Sequence, residues 1–197
     1  MAEPFQPLPH AFYNRDTVEV ARDLIGRILV RESATGPVGG IIVETEAYGP
    51  DDPANHAHRG PRPRNAVMFG PPGFGYVYRI YGMYWCVNAV TRGEGTGEAV
   101  LIRALEPTVG IEVMRANRGT EDPKALCSGP GRLCQALGIT GADNGCDLMK
   151  GPVMIGGDSA QVDVVETTRI GITKAAHLPW RFCMKESLYL SRPPSPQ

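Results

Sequence analysis

The chain has 197 residues, a formal net charge of −1, and 42% hydrophobic against 21% charged residues. That length suits one compact domain, which buries roughly 70% of its unfolded surface and needs neither a metal nor a disulfide for stability. No apolar run reaches the roughly 18 to 20 residues of a membrane span, Met1-Ala2-Glu3-Pro4 lacks a basic stretch followed by an apolar core, so no secretory signal is expected, and the charge balance argues against a generally basic nucleic-acid binder.

The distribution of charge says more than its sum. From Pro53 to Gly93 the chain carries Arg59, Arg62, Arg64, Arg79 and Arg92 and not one Asp or Glu. The cations are sixteen Arg to four Lys; the guanidinium fork suits phosphate and stacks on planar groups, although high-GC codon usage produces the same bias. The five cysteines contain no Cys-x-x-Cys pair, so reduced, buried thiols are expected and no metal site.

Residues 1–12 are Pro-rich and expected to be loose, ahead of a single domain over 13–191 and a loose tail over 192–197. Asp16-Thr17-Val18-Glu19 resembles a capping box, with an apolar stripe Val20, Ala21, Leu24, Ile25 and a stop at Gly26, which predicts a first helix. Val38 to Thr45 and Val100 to Leu105 read as buried strands. Tyr76 to Val90 is rich in aromatic and β-branched residues about Gly82, which predicts a hairpin turning at Tyr81 to Met83. Pro107 suggests the start of a helix running to Arg118, and Ser128 a cap for a helix from Pro130 to Leu137, closed by Gly138. Further strands are expected at Val153 to Ile155, Val162 to Val165, Arg181 to Met184 and Leu188 to Leu190. The fold class is therefore α+β: a single mixed domain with a curved, largely antiparallel sheet flanked by helices and a protruding hairpin.

Several groups are candidates for chemistry. Glu44 and Glu46 lie two apart on one strand and so share a face; either could act as a general base, or both could simply reach solvent at the strand end. Gly70-Pro71-Pro72-Gly73-Phe74-Gly75 lacks Gly-Lys-Ser/Thr and leads into a strand, so a β-turn is expected rather than a phosphate loop. His56 and His58 match no metal spacing; one imidazole could serve a ligand pocket, or both could be a surface pair. Four of the seven tyrosines, Tyr76, Tyr78, Tyr81 and Tyr84, fall within nine residues. Tyr76 and Tyr84 read as core. Tyr81 at a turn would be exposed, suited to insertion between stacked bases or to a protein interface.

Together, Val43-Glu44-Thr45-Glu46-Ala47-Tyr48, His56, Pro63-Arg64-Asn65-Ala66-Val67-Met68-Phe69, Tyr76-Val77-Tyr78 through Tyr81-Gly82-Met83, Asn88, Leu101 to Pro107 and Gly129 to Leu137 resemble the alkyladenine (3-methyladenine) DNA glycosylase family. The likeness runs in order from about Asp16 to Met184. It implies a cofactor-independent, monofunctional, monomeric enzyme that flips a damaged purine from duplex DNA and hydrolyses its N-glycosidic bond. It implies Glu46 as the residue that deprotonates water, with Arg103 and the Ile170 carbonyl holding that water. It implies Tyr48, His56 and Tyr78 as the walls about the flipped base, Asn88 as the limit on what the pocket admits, and Tyr81 as the wedge in the DNA. Met83, Arg59, Arg62, Arg64, Arg79 and Arg169 are the further residues expected to face DNA. Arg62 stands where the family commonly has Thr, and Trp85 fills a position two after the hairpin Met. The location expected is cytoplasmic, and nucleoid-associated if the source is a prokaryote. Two other classes carry some of the same features: a non-catalytic DNA-binding module, and a small-molecule nucleoside hydrolase.

Overall fold

The computed structural model describes residues 5–157 and 162–194. The ends of the two expected loose segments, 1–4 and 195–197, lie outside them. The described chain forms α1 (His10–Tyr13), α2 (Thr17–Asp23), β1 (Ile28–Ser33), β2 (Gly36–Tyr48), a 3-10 turn (Pro63–Phe69), β3 (Gly75–Ile80), β4 (Tyr84–Thr91) and β5 (Glu98–Val109). Then follow α3 (Ile111–Arg118), α4 (Pro123–Leu126), α5 (Pro130–Leu137), a 3-10 turn (Gly141–Asp143), β6 (Val153–Gly156), β7 (Val164–Thr167) and β8 (Arg181–Met184). Every strand pairing is antiparallel, in the order β3-β4-β5-β2-β1-β6, with β8 also on β2 and β7 on β8. The α+β class and the protruding hairpin expected from the sequence are present.

The centre of this sheet is the pair β2 and β5. On one edge β2 is bonded to β5 along its length; on the other it changes partner, from β1 over Gly36–Ile41 to β8 over Glu44–Glu46. Register shifts fall at Gly39/Gly40 and around Glu44, and such bulges bend a strand and raise its twist, so the sheet curls. Gly39 and Gly40 are required there: a Cβ on Gly40 would lie 2.1 Å from the Glu106 carbonyl oxygen, and one on Gly39 2.3 Å from that of Leu29. α2 packs its Val20, Ala21 and Leu24 onto this centre, and α5 covers β4 and β5.

Local chemistry explains where elements start. Asp16 accepts from the amides of Val18 (2.9 Å) and Glu19 (3.3 Å) and caps α2, as expected. Pro107 does not begin a helix. It belongs to β5, opposite Gly40 and beside the bulge, a place where a sheet tolerates a residue without an N–H; α3 starts at Ile111 behind Gly110. Ser128 is not the cap of α5 either. Gly129 occupies that position, and the Ser128 hydroxyl pairs with the Arg132 guanidinium instead. Gly138 closes α5 in the left-handed conformation, as expected. Leu188–Leu190 is a turn rather than a strand, and β7 falls at Val164–Thr167, slightly later than expected. Nothing local in the sequence marks β1 or α1; Pro7 bridges Gly156 and the Leu8 amide bonds the Ile155 carbonyl, which brings α1 onto the domain.

Candidate active site

Glu44 and Glu46 lie toward the C-terminal end of β2 but do not reach solvent: both are fully buried. Bare carboxylates there would be prohibitively costly, and the two neighbouring strands supply the compensation. β5 contributes Arg103, whose Nε donates to Glu44 Oε1 at 3.1 Å and whose Nη1 donates to Glu46 Oε2 at 3.3 Å. β8 contributes Arg181, whose Nε donates to the same Glu44 oxygen at 2.7 Å. Burial works against the Arg103 charge, but Glu46 and Glu44 outweigh it and raise its pKa above the usual arginine value.

The two carboxylates differ in how completely they are used. Glu44 accepts from Arg103, Arg181, the Ser191 hydroxyl (2.8 Å) and the Ser191 amide (2.6 Å). Three of these four bonds fall on Oε1 and one on Oε2, and of the partners only Arg103 lines the adjoining cleft. Glu46 accepts from Arg103, from the Tyr48 hydroxyl at 2.8 Å and from the Ile170 amide at 2.7 Å. Its Oε1 accepts a single bond, from Ile170. Tyr48, Arg103 and Ile170 all line a cleft of about 440 Å³, so Glu46 lies just behind the cleft lining. That volume is within the usual range for a small-molecule site, about 300 to 1,000 Å³.

The cleft wall is aromatic. The His56 ring stands edge-on to Tyr78 with centroids 4.5 Å apart, and Tyr76 stacks on Tyr78 at 5.4 Å. His56 Nδ1 pairs with the Tyr76 hydroxyl at 3.1 Å. The imidazole opens onto the cleft, yet partial burial and then the charge of Arg64 lower its pKa below the usual 6.5. Burial raises the phenols of Tyr48 and Tyr78 far above their ordinary value, and pushes Tyr76 up to about 12 and the Cys86 thiol up to about 11. At neutral pH the wall therefore presents uncharged rings. Asn88 lies on β4 opposite Tyr76, donating from Nδ2 to the Tyr76 carbonyl at 3.0 Å.

Two asparagines build the loop that delivers His56. Asn55 Nδ2 reaches the carbonyls of Tyr48, Gly49 and Gly97. Asn65 Nδ2 donates to the His56 carbonyl at 2.9 Å, and its Oδ1 accepts from the Arg62 amide at 2.6 Å. Neither side chain was a sequence candidate for the site. Asn55 is held in part by the distant Gly97 carbonyl and Asn65 by groups within its own loop, at His56, Gly60 and Arg62, and residue type alone marks neither as buried.

At the rim, β3 and β4 join through Tyr81-Gly82-Met83, with the Met83 amide bonded to the Ile80 carbonyl. Tyr81 (φ 53°) and Gly82 (φ 71°) are both left-handed, the geometry of a tight hairpin turn. A bulky side chain rarely adopts that conformation, and here it leaves Tyr81 81% exposed and Met83 62% exposed. Arg59, Arg62, Arg64 and Arg79 are exposed as well, and Arg79 lies over the Trp85 ring across the hairpin, 5.7 Å from its centroid. Tyr84 is not core: it is 46% exposed and lines the cleft beside Gly131, where an added Cβ would meet it at 3.0 Å.

Arg169 is the correction among the cationic candidates. It does not face DNA but is buried, with its guanidinium paired to the fully buried Asp52 carboxylate through both Nη atoms, Nη2 at 3.0 Å, and donating to the Ala47 carbonyl at 2.9 Å. It sits over the Tyr48 ring (4.8 Å) and the Trp180 ring (5.3 Å), propping Tyr48 from behind. Ile170, beside it, meets Glu46 through its amide nitrogen. Among the described residues no three His, Cys, Asp or Glu side chains gather as a metal site, and no helix is long and apolar enough to cross a membrane.

The family model for methylpurine-DNA glycosylase matches residues 11–188. A protein of Methanoculleus marisnigri named "Putative 3-methyladenine DNA glycosylase" is 57% identical over 191 residues, covering 94% of this chain and 98% of its own. Proteins of the same name from Nitrobacter winogradskyi and Rhodopseudomonas palustris are 56% and 57% identical, covering 95% and 92% of this chain and 88% and 86% of their own. The matched span takes in both buried carboxylates, the arginines that hold them and the whole aromatic wall, and the chain belongs to the methylpurine-DNA glycosylase family, hydrolases that repair alkylated purines in DNA.

Proposed function

We propose that this enzyme excises 3-methyladenine and related alkylated or deaminated purines by rotating the nucleotide out of duplex DNA and hydrolysing the glycosidic bond with a water activated by Glu46. The observation that carries the reading is the unequal use of the two carboxylates. Glu44 accepts four hydrogen bonds, and only Arg103 among its partners lines the cleft, whereas all three partners of Glu46 line it and Glu46 Oε1 accepts a single bond, from Ile170.

The chemistry follows from that placement. The glycosidic carbon is shielded inside a duplex, so the nucleotide turns out, at a cost of a few kcal/mol. Tyr81 fills the vacated stack and Met83 flanks it, while Arg59, Arg62, Arg64 and Arg79 meet phosphates. The base enters between Tyr48 on one side and His56 and Tyr78 on the other, and Asn88 limits its substituents. A purine alkylated on a ring nitrogen is cationic; uncharged aromatic faces favour it by about 0.5 to 2 kcal/mol. The glycosidic bond breaks with its electron pair leaving on the base, the sugar gains oxocarbenium character, and water adds at that carbon while Glu46 takes its proton. Arg103 and the Ile170 carbonyl hold the water. No amine attacks the sugar, so an abasic site is the product. The enzyme acts as a monomer on double-stranded DNA, without a cofactor, in the cytoplasm or nucleoid.

The test is base release from a panel of lesions in duplex DNA and as free nucleosides, at several salt concentrations, for the wild type and Glu46→Gln. Release confined to duplex, weakened by salt and lost in Glu46→Gln, is expected. A folded Glu46→Gln that releases bases at the wild-type rate overturns the assignment. Equal release from free nucleosides identifies a nucleoside hydrolase, and binding without release a DNA-binding module.

A further inference from the structure

The segment after β8 leads back to the buried carboxylates, reaching them at Ser191, beyond the residues that the family model matches. Ser191 provides two of the four hydrogen bonds on Glu44, from its amide at 2.6 Å and its hydroxyl at 2.8 Å. The same hydroxyl oxygen lies 3.4 Å from Arg103 Nη2. One residue on, the Arg192 carbonyl accepts from Arg181 Nη2, and Arg192 lines the cleft. Two successive residues are thus fastened to the two arginines that flank the buried carboxylates.

We infer that Ser191 is a positioning residue for the chemical step: by fixing Glu44 it sets the Arg103 guanidinium, and through Arg103 the orientation of Glu46. This rests on the proposed role of Glu46. The physical reason is that Arg103 is shared. Its Nε is committed to Glu44 and its Nη1 to Glu46, and a guanidinium is planar and rigid, so a displacement at one edge is passed to the other. Glu44 does not line the cleft, and its carboxylate, held by four hydrogen bonds, serves as the anchor against which Arg103 is aligned. Without the Ser191 hydroxyl, Glu44 Oε1 keeps the two arginines only, and Arg103 Nη2 loses its oxygen partner, so the plane of the guanidinium is free to tilt within a buried site.

The experiment compares Ser191→Ala, Ser191→Thr and Ser191→Cys with the wild type and Glu46→Gln. It measures single-turnover release of hypoxanthine from duplex DNA, affinity for a duplex with an abasic-site analogue, and thermal unfolding. A hydrogen bond to a charged group converts to a rate effect of about tenfold. Ser191→Ala is expected to slow release by about tenfold with analogue affinity unchanged within about twofold, and Ser191→Thr, which restores the hydroxyl, to recover most of the rate. Should Ser191→Ala not fold, Ser191→Cys carries the test, since its thiol donates weakly and is expected to slow release without loss of affinity. Wild-type rates in folded Ser191→Ala or Ser191→Cys, with Glu46→Gln inactive, overturn this inference alone. So does a rate loss that follows the loss of affinity and is not recovered by Ser191→Thr. Full activity of Glu46→Gln overturns the catalytic reading and this inference with it.

Discussion

The Tyr48 hydroxyl donates to Glu46 Oε2 at 2.8 Å while the Tyr48 ring forms part of the cleft wall. One side chain therefore joins the surface that meets the base to the carboxylate behind it. Behind that ring lies the Arg169 guanidinium, itself locked to Asp52. The position of the platform and the orientation of the carboxylate are consequently set by one packed unit.

Tyr48→Phe keeps the ring and removes the hydroxyl. A hydrogen bond to a charged group contributes about 1.5 to 3 kcal/mol, so excision is expected to slow by roughly ten- to a hundredfold. Affinity for an abasic-analogue duplex is expected to stay within about twofold. Single-turnover kinetics beside titration of the analogue measure the two quantities. An unchanged rate would show that Glu46 is oriented without Tyr48.

Asp52→Ala leaves Arg169 buried without its partner. Removing one member of a buried ion pair costs about 3 to 5 kcal/mol, and urea denaturation is expected to show a loss of that size. Arg64→Ala and Arg62→Ala remove exposed cations, and stability is expected to change by less than about 0.5 kcal/mol. Instead, each is expected to reduce the slope of log affinity against log salt by about one. Equal stability losses at Asp52 and Arg64 would contradict the structure.

Tyr81→Gly separates conformation from function at the hairpin tip. Glycine adopts the left-handed backbone that Tyr81 holds at φ 53° without steric strain. Gains and losses in chain entropy are each about 1 kcal/mol, so the melting temperature is expected to move little. Binding to an abasic-analogue duplex is expected to weaken at least tenfold. Retained affinity would remove Tyr81 from the wedge role.

The His56 imidazole has a pKa below 6.5, so it is neutral at pH 7 and stays neutral somewhat below the pH at which an unperturbed histidine gains its proton. The unfolded chain then binds more protons than the folded one as pH falls through 6.5, and stability declines on the acid side. Protonation also places a positive charge beside the bound base. Release of a cationic lesion such as 7-methylguanine is therefore expected to fall more steeply with acidification than release of neutral hypoxanthine. His56→Gln is expected to abolish that difference; parallel acid limbs for the two lesions in the wild type would contradict it.

Local pattern was enough for much of the frame. The cap at Asp16, the positive-φ stop at Gly138 and the Tyr81–Met83 turn are decided by interactions within a few residues, and each stands where the sequence places it. Pro107 and Ser128 show the limit. Their local preferences favour helix starts, but pairing with β2 keeps Pro107 in a strand, and Gly129 takes the cap at α5.

The same limit runs through the site. Spacing along β2 puts Glu44 and Glu46 on one face, and the acid-free stretch from Pro53 to Gly93 gathers the arginines and tyrosines, so a nearly neutral chain already contains its basic segment. Spacing does not distinguish the two carboxylates. That was decided by β5, β8 and the turn at Ser191, which put four hydrogen bonds on Glu44, while the three partners of Glu46 all line the cleft. Arg169 makes the same point in reverse, since an arginine reads as a surface cation until Asp52, 117 residues earlier, meets it in the interior. Periodicity and turn chemistry are written in neighbouring residues; burial, the hydrogen bonds of buried acceptors and the pairing of charges exist only once distant segments pack.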